Sequence, residues 1–111
     1  KLAIFPWSPL AGGFLTGKYH SAKSLPKSVR ANKAKKYMTE KNFLLIAALE
    51  SLARTRNKSI SQIALGWLLS HSEITAPIIG PRTSHQLRDN LGSVELQLND
   101  TELEELDKVS K

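Results

Sequence analysis

The sequence predicts an α/β fold, with a parallel sheet whose strands are joined by crossover helices. Three observations point there. Two short apolar runs, Leu2–Phe5 and Ile74–Ile79, suit buried parallel strands. The stretch between them carries helical periodicity. The second run then passes through a single glycine, Gly80, into a capped helical segment. Alternation of this kind implies parallel pairing with helical crossovers.

Each element follows from local chemistry. Pro6 and Pro9 end the first run, and Gly12, Gly13 and Gly17 mark a loop that bends tightly or lies against a ligand. Residues Lys18 to about Lys36 are polar, contain Pro26 and lack an apolar period, which predicts a long loop. Glu40 to about Arg56 reads as a helix with Thr39 as N-cap and an apolar face of Leu45, Ala48, Leu49, Leu52 and Ala53. Asn57 and Lys58 break it, and a second helix runs from about Ser61 to Ser70. After the Pro77-interrupted run, Thr83 with Gln86 has capping-box spacing, and Asn99 with Glu102 repeats it before a last helix, Asp100 to about Val109.

Composition narrows the class. At 111 residues, 41% apolar and 23% charged, the chain is one ordinary globular domain at most. No apolar run approaches the roughly 20 residues of a membrane span. No signal peptide is evident, and the lack of cysteine excludes disulfides and thiolate metal sites, so the expected compartment is the cytoplasm. The chain opens on Lys1 and enters an apolar run at once, and two parallel strands cannot cover both their faces. The chain is therefore expected to be part of a larger fold.

The net charge of +6 is uneven: eight Lys or Arg residues and one acid lie between Lys18 and Lys41, whereas acids lead from Asp89 onward. A nucleic-acid patch would call for interleaved aromatics, which the run of basic residues from Lys23 to Lys36 lacks, and a solvated loop is the expected reading. There is no His-x-x-x-His or other metal-ligand spacing, and no Gly-x-Ser-x-Gly elbow.

One segment concentrates the site chemistry. Ile78 to Asn90 reads I-I-G-P-R-T-S-H-Q-L-R-D-N, with Arg82 beside a helix start where backbone N–H groups can hold an anion. This suits a phosphate of a nucleotide cofactor.

Together with W-S-P-L-A-G-G-F-L-T-G-K-Y at Trp7–Tyr19 and S-Q-I-A-L-G-W-L-L at Ser61–Leu69, that segment resembles the C-terminal third of an aldo-keto reductase. The resemblance spans nearly the whole chain. It implies the C-terminal portion of a (β/α)8 TIM barrel, about the last two β/α units plus the C-terminal helix, with both motifs at the ligand-binding face. By resemblance, Trp7, Ser8, Pro9, Leu10, Ala11 and Gly12 pass the nicotinamide and pyrophosphate of NADP(H), and Lys18 follows near the phosphates. Gly80, Arg82 and Gln86 belong to the 2′-phosphate pocket, and Asp89 and Asn90 hold the adenine. Arg82 favours NADP over NAD, since its planar fork suits a dianionic phosphate.

The resemblance also implies what this chain lacks. The family's catalytic Asp, Tyr, Lys and His come from earlier strands, and none matches a position here. Tyr19, His20, Tyr37, His71 and His85 are read as structural or solvated. The expected partners are the remainder of the barrel and a small carbonyl substrate, with no nucleic acid and no membrane. Self-association through bare strand edges is expected when the barrel is incomplete. The family also resembles the potassium-channel β subunits, which keeps a non-catalytic nucleotide-binding or regulatory module open, as is a truncated remnant.

Overall fold

The structure, a computed structural model, describes residues 2–17 and 35–111. Most of the expected basic loop, including Lys18, Tyr19 and His20, lies outside the described residues.

Among the described residues, four α-helices form the body: α1 (Glu40–Arg56), α2 (Ile60–Leu69), α3 (Ser84–Leu91) and α4 (Asp100–Ser110). Of two short 3-10 segments, Ala11–Thr16 precedes α1 and Gly92–Glu95 follows α3. Each helix starts where a side chain satisfies an orphan N–H. Thr39 accepts from the Asn42 amide, Thr83 from Gln86, and Asn99 forms a full capping box with Glu102. Helix α1 ends as expected at Asn57, whose left-handed backbone (φ 53°) turns its N–H back onto the last carbonyls.

Two expectations need correcting at this level. Helix α2 begins at Ile60, capped by a Ser59–Gln62 box that the sequence reading passed over. At α3 the second half of the box is displaced by one residue, because the Gln86 side chain accepts from the Arg82 N–H rather than from that of Thr83.

The core is helical. Helix α1 packs on α2 and α4, and α2 packs on α3 and the Gly92–Glu95 turn. Leu49, Ile63 and Leu106, one from each of α1, α2 and α4, are fully buried. Burying such a side chain stabilises by about 1.5–3 kcal/mol. Phe14 joins them at 1% exposure, with ring centroids 6.4 Å from Tyr37 and 5.6 Å from Phe43. It thereby pins the glycine loop to the helices. Between α1 and α4, Arg56 Nε donates to Glu102 Oε2 at 2.9 Å, and its Nη2 donates to Glu102 Oε1 and to the Gln97 carbonyl. This fork holds the Glu102 carboxyl below the usual glutamate range, chiefly through the hydrogen bonds from Arg56.

The two apolar runs do meet in parallel, but through one bridge, Trp7 with Ile78, and not as buried strands. Thr75 N–H donates to the Ile4 carbonyl at 2.9 Å and Ile78 N–H to the Pro6 carbonyl at 2.8 Å. The physical reason is twofold. Pro6, Pro9 and Pro77 offer no N–H to a ladder, and among the described residues each run has only the other beside it. Leu2 is accordingly 91% exposed, Trp7 79% and Ile78 56%. No helix among the described residues is long and apolar enough to cross a membrane.

Candidate functional site

A cleft of about 690 Å³ opens between the loop after the first run and the segment entering α3, with the start of α2 beside it. That volume lies within the ordinary range for a site holding a small organic ligand, roughly 300–1,000 Å³.

One wall is Trp7, Ser8, Pro9, Leu10 and Gly12. Its shape comes from backbone conformations that most residues avoid. Ser8 and Ala11 both sit at φ 52°, and Gly12 and Gly13 follow at 68° and 99°. Left-handed backbone at a non-glycine residue costs on the order of 1–3 kcal/mol and clusters at ligand sites. Here it is held by Ala11 N–H to the Ser8 carbonyl and by Gly13 and Leu15 N–H to the Leu10 carbonyl, each at 3.0 Å. The buried Phe14 anchors the same turn from below.

The facing wall is Gly80, Arg82, Gln86, Asp89 and Asn90. Gly80 and Pro81 carry the chain into α3, and the exposed Arg82 precedes the Thr83 cap. Gln86 uses its side-chain oxygen on the Arg82 N–H at 2.7 Å, which fixes the backbone that bears the guanidinium. One turn later Asp89 is half-buried: Ser59 Oγ donates to its Oδ2 at 2.7 Å, and Gln62 Nε2 donates to its carbonyl at 2.8 Å. Asn90 is 8% exposed, and its side-chain amide makes no hydrogen bond to another described residue. A nearly buried amide bordering a cleft is poised for a ligand's polar edge.

Ten of the twelve residues named from the sequence thus border one cavity. Ala11 does not border it; it serves the turn. Lys18 lies outside the described residues. The sequence reading missed Gly13, Thr16, Ser59, Ser61, Ile78, Ile79, Pro81 and His85 as wall residues. For Ser59 a signal existed, since Ser-x-x-Gln at residues 59–62 is a capping-box pattern. His71 lies away from this cleft, at a separate apolar depression of about 120 Å³. No group of three or more His, Cys, Asp or Glu among the described residues could hold a metal ion.

The arrangement supplies a cation and helix-start amides at one end, an amide–carboxylate pair at the next turn, and an exposed indole across the gap. Comparison with known proteins agrees in direction. The family model described as "Aldo/keto reductase family" matches residues 2–111. An oxidoreductase of Bacillus subtilis, YrpG, is 40% identical over 98 residues, covering 88% of this chain and 29% of the relative. The aldo-keto reductase yakc [NADP(+)] of Schizosaccharomyces pombe is 32% identical over 109 residues, covering 96% and 32%. The L-glyceraldehyde 3-phosphate reductase of Escherichia coli (strain K12) is 33% identical over 111 residues, covering 92% and 32%. The chain spans about a third of the length of these curated relatives.

Proposed function

The chain belongs to the aldo/keto reductase family, and on that premise we propose that it is the NADP-binding C-terminal segment of a reductase acting on aldehydes or ketones. The observation that carries this reading is the single cleft bordered by both the Trp7–Gly12 loop and the Gly80–Asn90 segment. Similarity to a reductase whose name specifies NADP(+) supports the choice of cofactor.

The residues fit the group. Arg82 and the first amides of α3 suit the 2′-phosphate, since a guanidinium fork and a helix start both favour a dianion. Asp89 and the nearly buried Asn90 suit an adenine edge, one as acceptor and the other as donor and acceptor. Trp7, which borders the cleft and is 79% exposed, suits a flat ring laid against it. Ser8 to Gly12 offer the tight turn along which a pyrophosphate can run. When bound, NADPH would supply a hydride for the carbonyl carbon. The proton donor would come from the rest of a complete (β/α)8 barrel, because the family's catalytic Asp, Tyr, Lys and His match no position here. The compartment proposed is the cytoplasm.

A second reading has one observation behind it. A probable voltage-gated potassium channel subunit beta of Arabidopsis thaliana is 26% identical over 101 residues. On that reading the segment binds the nucleotide for regulation rather than turnover.

Calorimetric titration with NADPH and NADH tests the binding half of the proposal, and saturable binding with NADPH preferred is expected. Carbonyl reduction that appears only when the preceding barrel strands are supplied would favour the reductase. Binding without turnover in the completed barrel would favour the regulatory module. Absence of NADPH binding would overturn both.

A further inference from the structure

Ser59 stands outside every motif that carries the family resemblance, yet it borders the cleft and its side chain makes two directed hydrogen bonds. As N-cap of α2 its Oγ accepts from the Gln62 amide at 3.1 Å, and as a donor it reaches Asp89 Oδ2 on α3 at 2.7 Å. Gln62 completes the pair of contacts: its Oε1 accepts from the Ser59 N–H at 3.0 Å, and its Nε2 donates to the Asp89 carbonyl at 2.8 Å. A methyl group added at Gly92 would collide with that same Gln62 Nε2, so the close approach depends on a glycine there. One capping box therefore grips both the side chain and the backbone of Asp89.

A cap needs only the first of these bonds. The bond to Asp89 does something else. It holds a half-buried carboxylate in one orientation, with Oδ2 engaged and Oδ1 without a donor among the described residues. A preset acceptor loses less freedom on binding than a mobile one.

We propose that Ser59 is a positioning residue that orients Asp89 to accept the N–H groups of a purine, with Gln62 fixing the same turn of α3. This rests on the cofactor reading above.

Three variants separate positioning from capping. Ser59→Gly keeps much of the cap, since glycine is tolerated at that position, but removes the donor to Asp89. Ser59→Thr keeps both. Asp89→Ala removes the group being positioned. The probe is adenosine 2′,5′-bisphosphate, which carries the purine and the 2′-phosphate without the nicotinamide, titrated calorimetrically alongside NADPH. Ser59→Gly should weaken both ligands roughly tenfold, about the worth of one hydrogen bond to a charged group. Ser59→Thr should restore binding, and in the Asp89→Ala background Ser59→Gly should have no further effect. Unchanged affinity in Ser59→Gly would overturn the inference while leaving the cofactor reading intact, and so would an equal loss in both backgrounds. Failure of the unsubstituted chain to bind either ligand would overturn the cofactor reading and this inference with it.

Discussion

The side-chain oxygen of Gln86 accepts the backbone N–H of Arg82 at 2.7 Å, while the Gln86 N–H itself donates to the Thr83 cap at 3.1 Å. Gln86 thus ties the first turn of α3 to the residue before its cap. In the cofactor proposal, Gln86 sets the direction from which the Arg82 guanidinium leaves the backbone, and Arg82 makes the phosphate contact.

Arg82→Ala should consequently weaken NADPH binding by roughly tenfold or more, with NADH affected about twofold or less, because only the former carries the extra phosphate. Gln86→Ala should act in the same direction but more weakly. Parallel titrations with both nucleotides check this; equal losses for NADPH and NADH in Arg82→Ala would contradict it.

The Arg56–Glu102 pair predicts an acid-sensitive fold. Hydrogen bonds from Arg56 depress the Glu102 carboxyl in the folded state, so the unfolded chain binds the proton more readily. The stabilisation is therefore full above the ordinary glutamate pKa and is lost as pH falls through the lower folded value. Glu102→Gln should lower the melting temperature by roughly 4–8 °C near neutrality and flatten the acid limb of the stability profile. Thermal melts across the acid range, with and without the substitution, are the check.

Phe14 links loop to core, at 1% exposure and within aromatic reach of Tyr37 and Phe43. Phe14→Ala should destabilise by about 3–5 kcal/mol, the usual cost of truncating a buried aromatic. If the variant remains folded, NADPH binding should fall as well, since the left-handed turn at Ala11–Gly13 loses its anchor. Denaturant unfolding gives the first quantity and calorimetry the second.

Exposed apolar side chains along the paired runs predict association. Leu2, Phe5, Trp7 and Ile78 are each more than half exposed, with Ile4 at 43%. Such a patch, along two extended runs that pair through a single bridge, should drive this chain to self-associate or to bind the remainder of a barrel. Sedimentation at increasing concentration should show mass above 12.3 kDa; a monodisperse monomer that melts cooperatively would contradict this.

Much of the helical framework was legible in the sequence, because caps and periodicity are local. Thr39, Asn57 and the Asn99–Glu102 box set helix ends by contacts within a few residues of chain. Asn57 and Lys58 carry the signals of a plain helix break, and these mask Ser59 as the cap of a helix that starts at Ile60. Strand burial was not legible in the same way. It depends on neighbours that flank Leu2–Phe5 and Ile74–Ile79 in space, and no local pattern encodes those. The left-handed Ser8 and Ala11 were equally hidden, since nothing in their residue types favours φ above zero.

For the candidate site, the family resemblance named ten residues that border one cleft, whereas the hydrogen bond from Ser59 to Asp89, thirty positions apart, required the packing of α2 on α3. Long-range contacts of that kind become visible only once the helices are docked.

The most direct measurement is tryptophan fluorescence during NADPH titration, in the unsubstituted chain and in Trp7→Phe. Trp7 borders the cleft, whereas Trp67 borders the smaller apolar depression and not the cleft. If the cleft holds the cofactor, NADPH should quench the emission saturably and Trp7→Phe should remove most of that change. No saturable quenching, or quenching that persists undiminished without Trp7, would contradict the assignment of this cleft to NADPH.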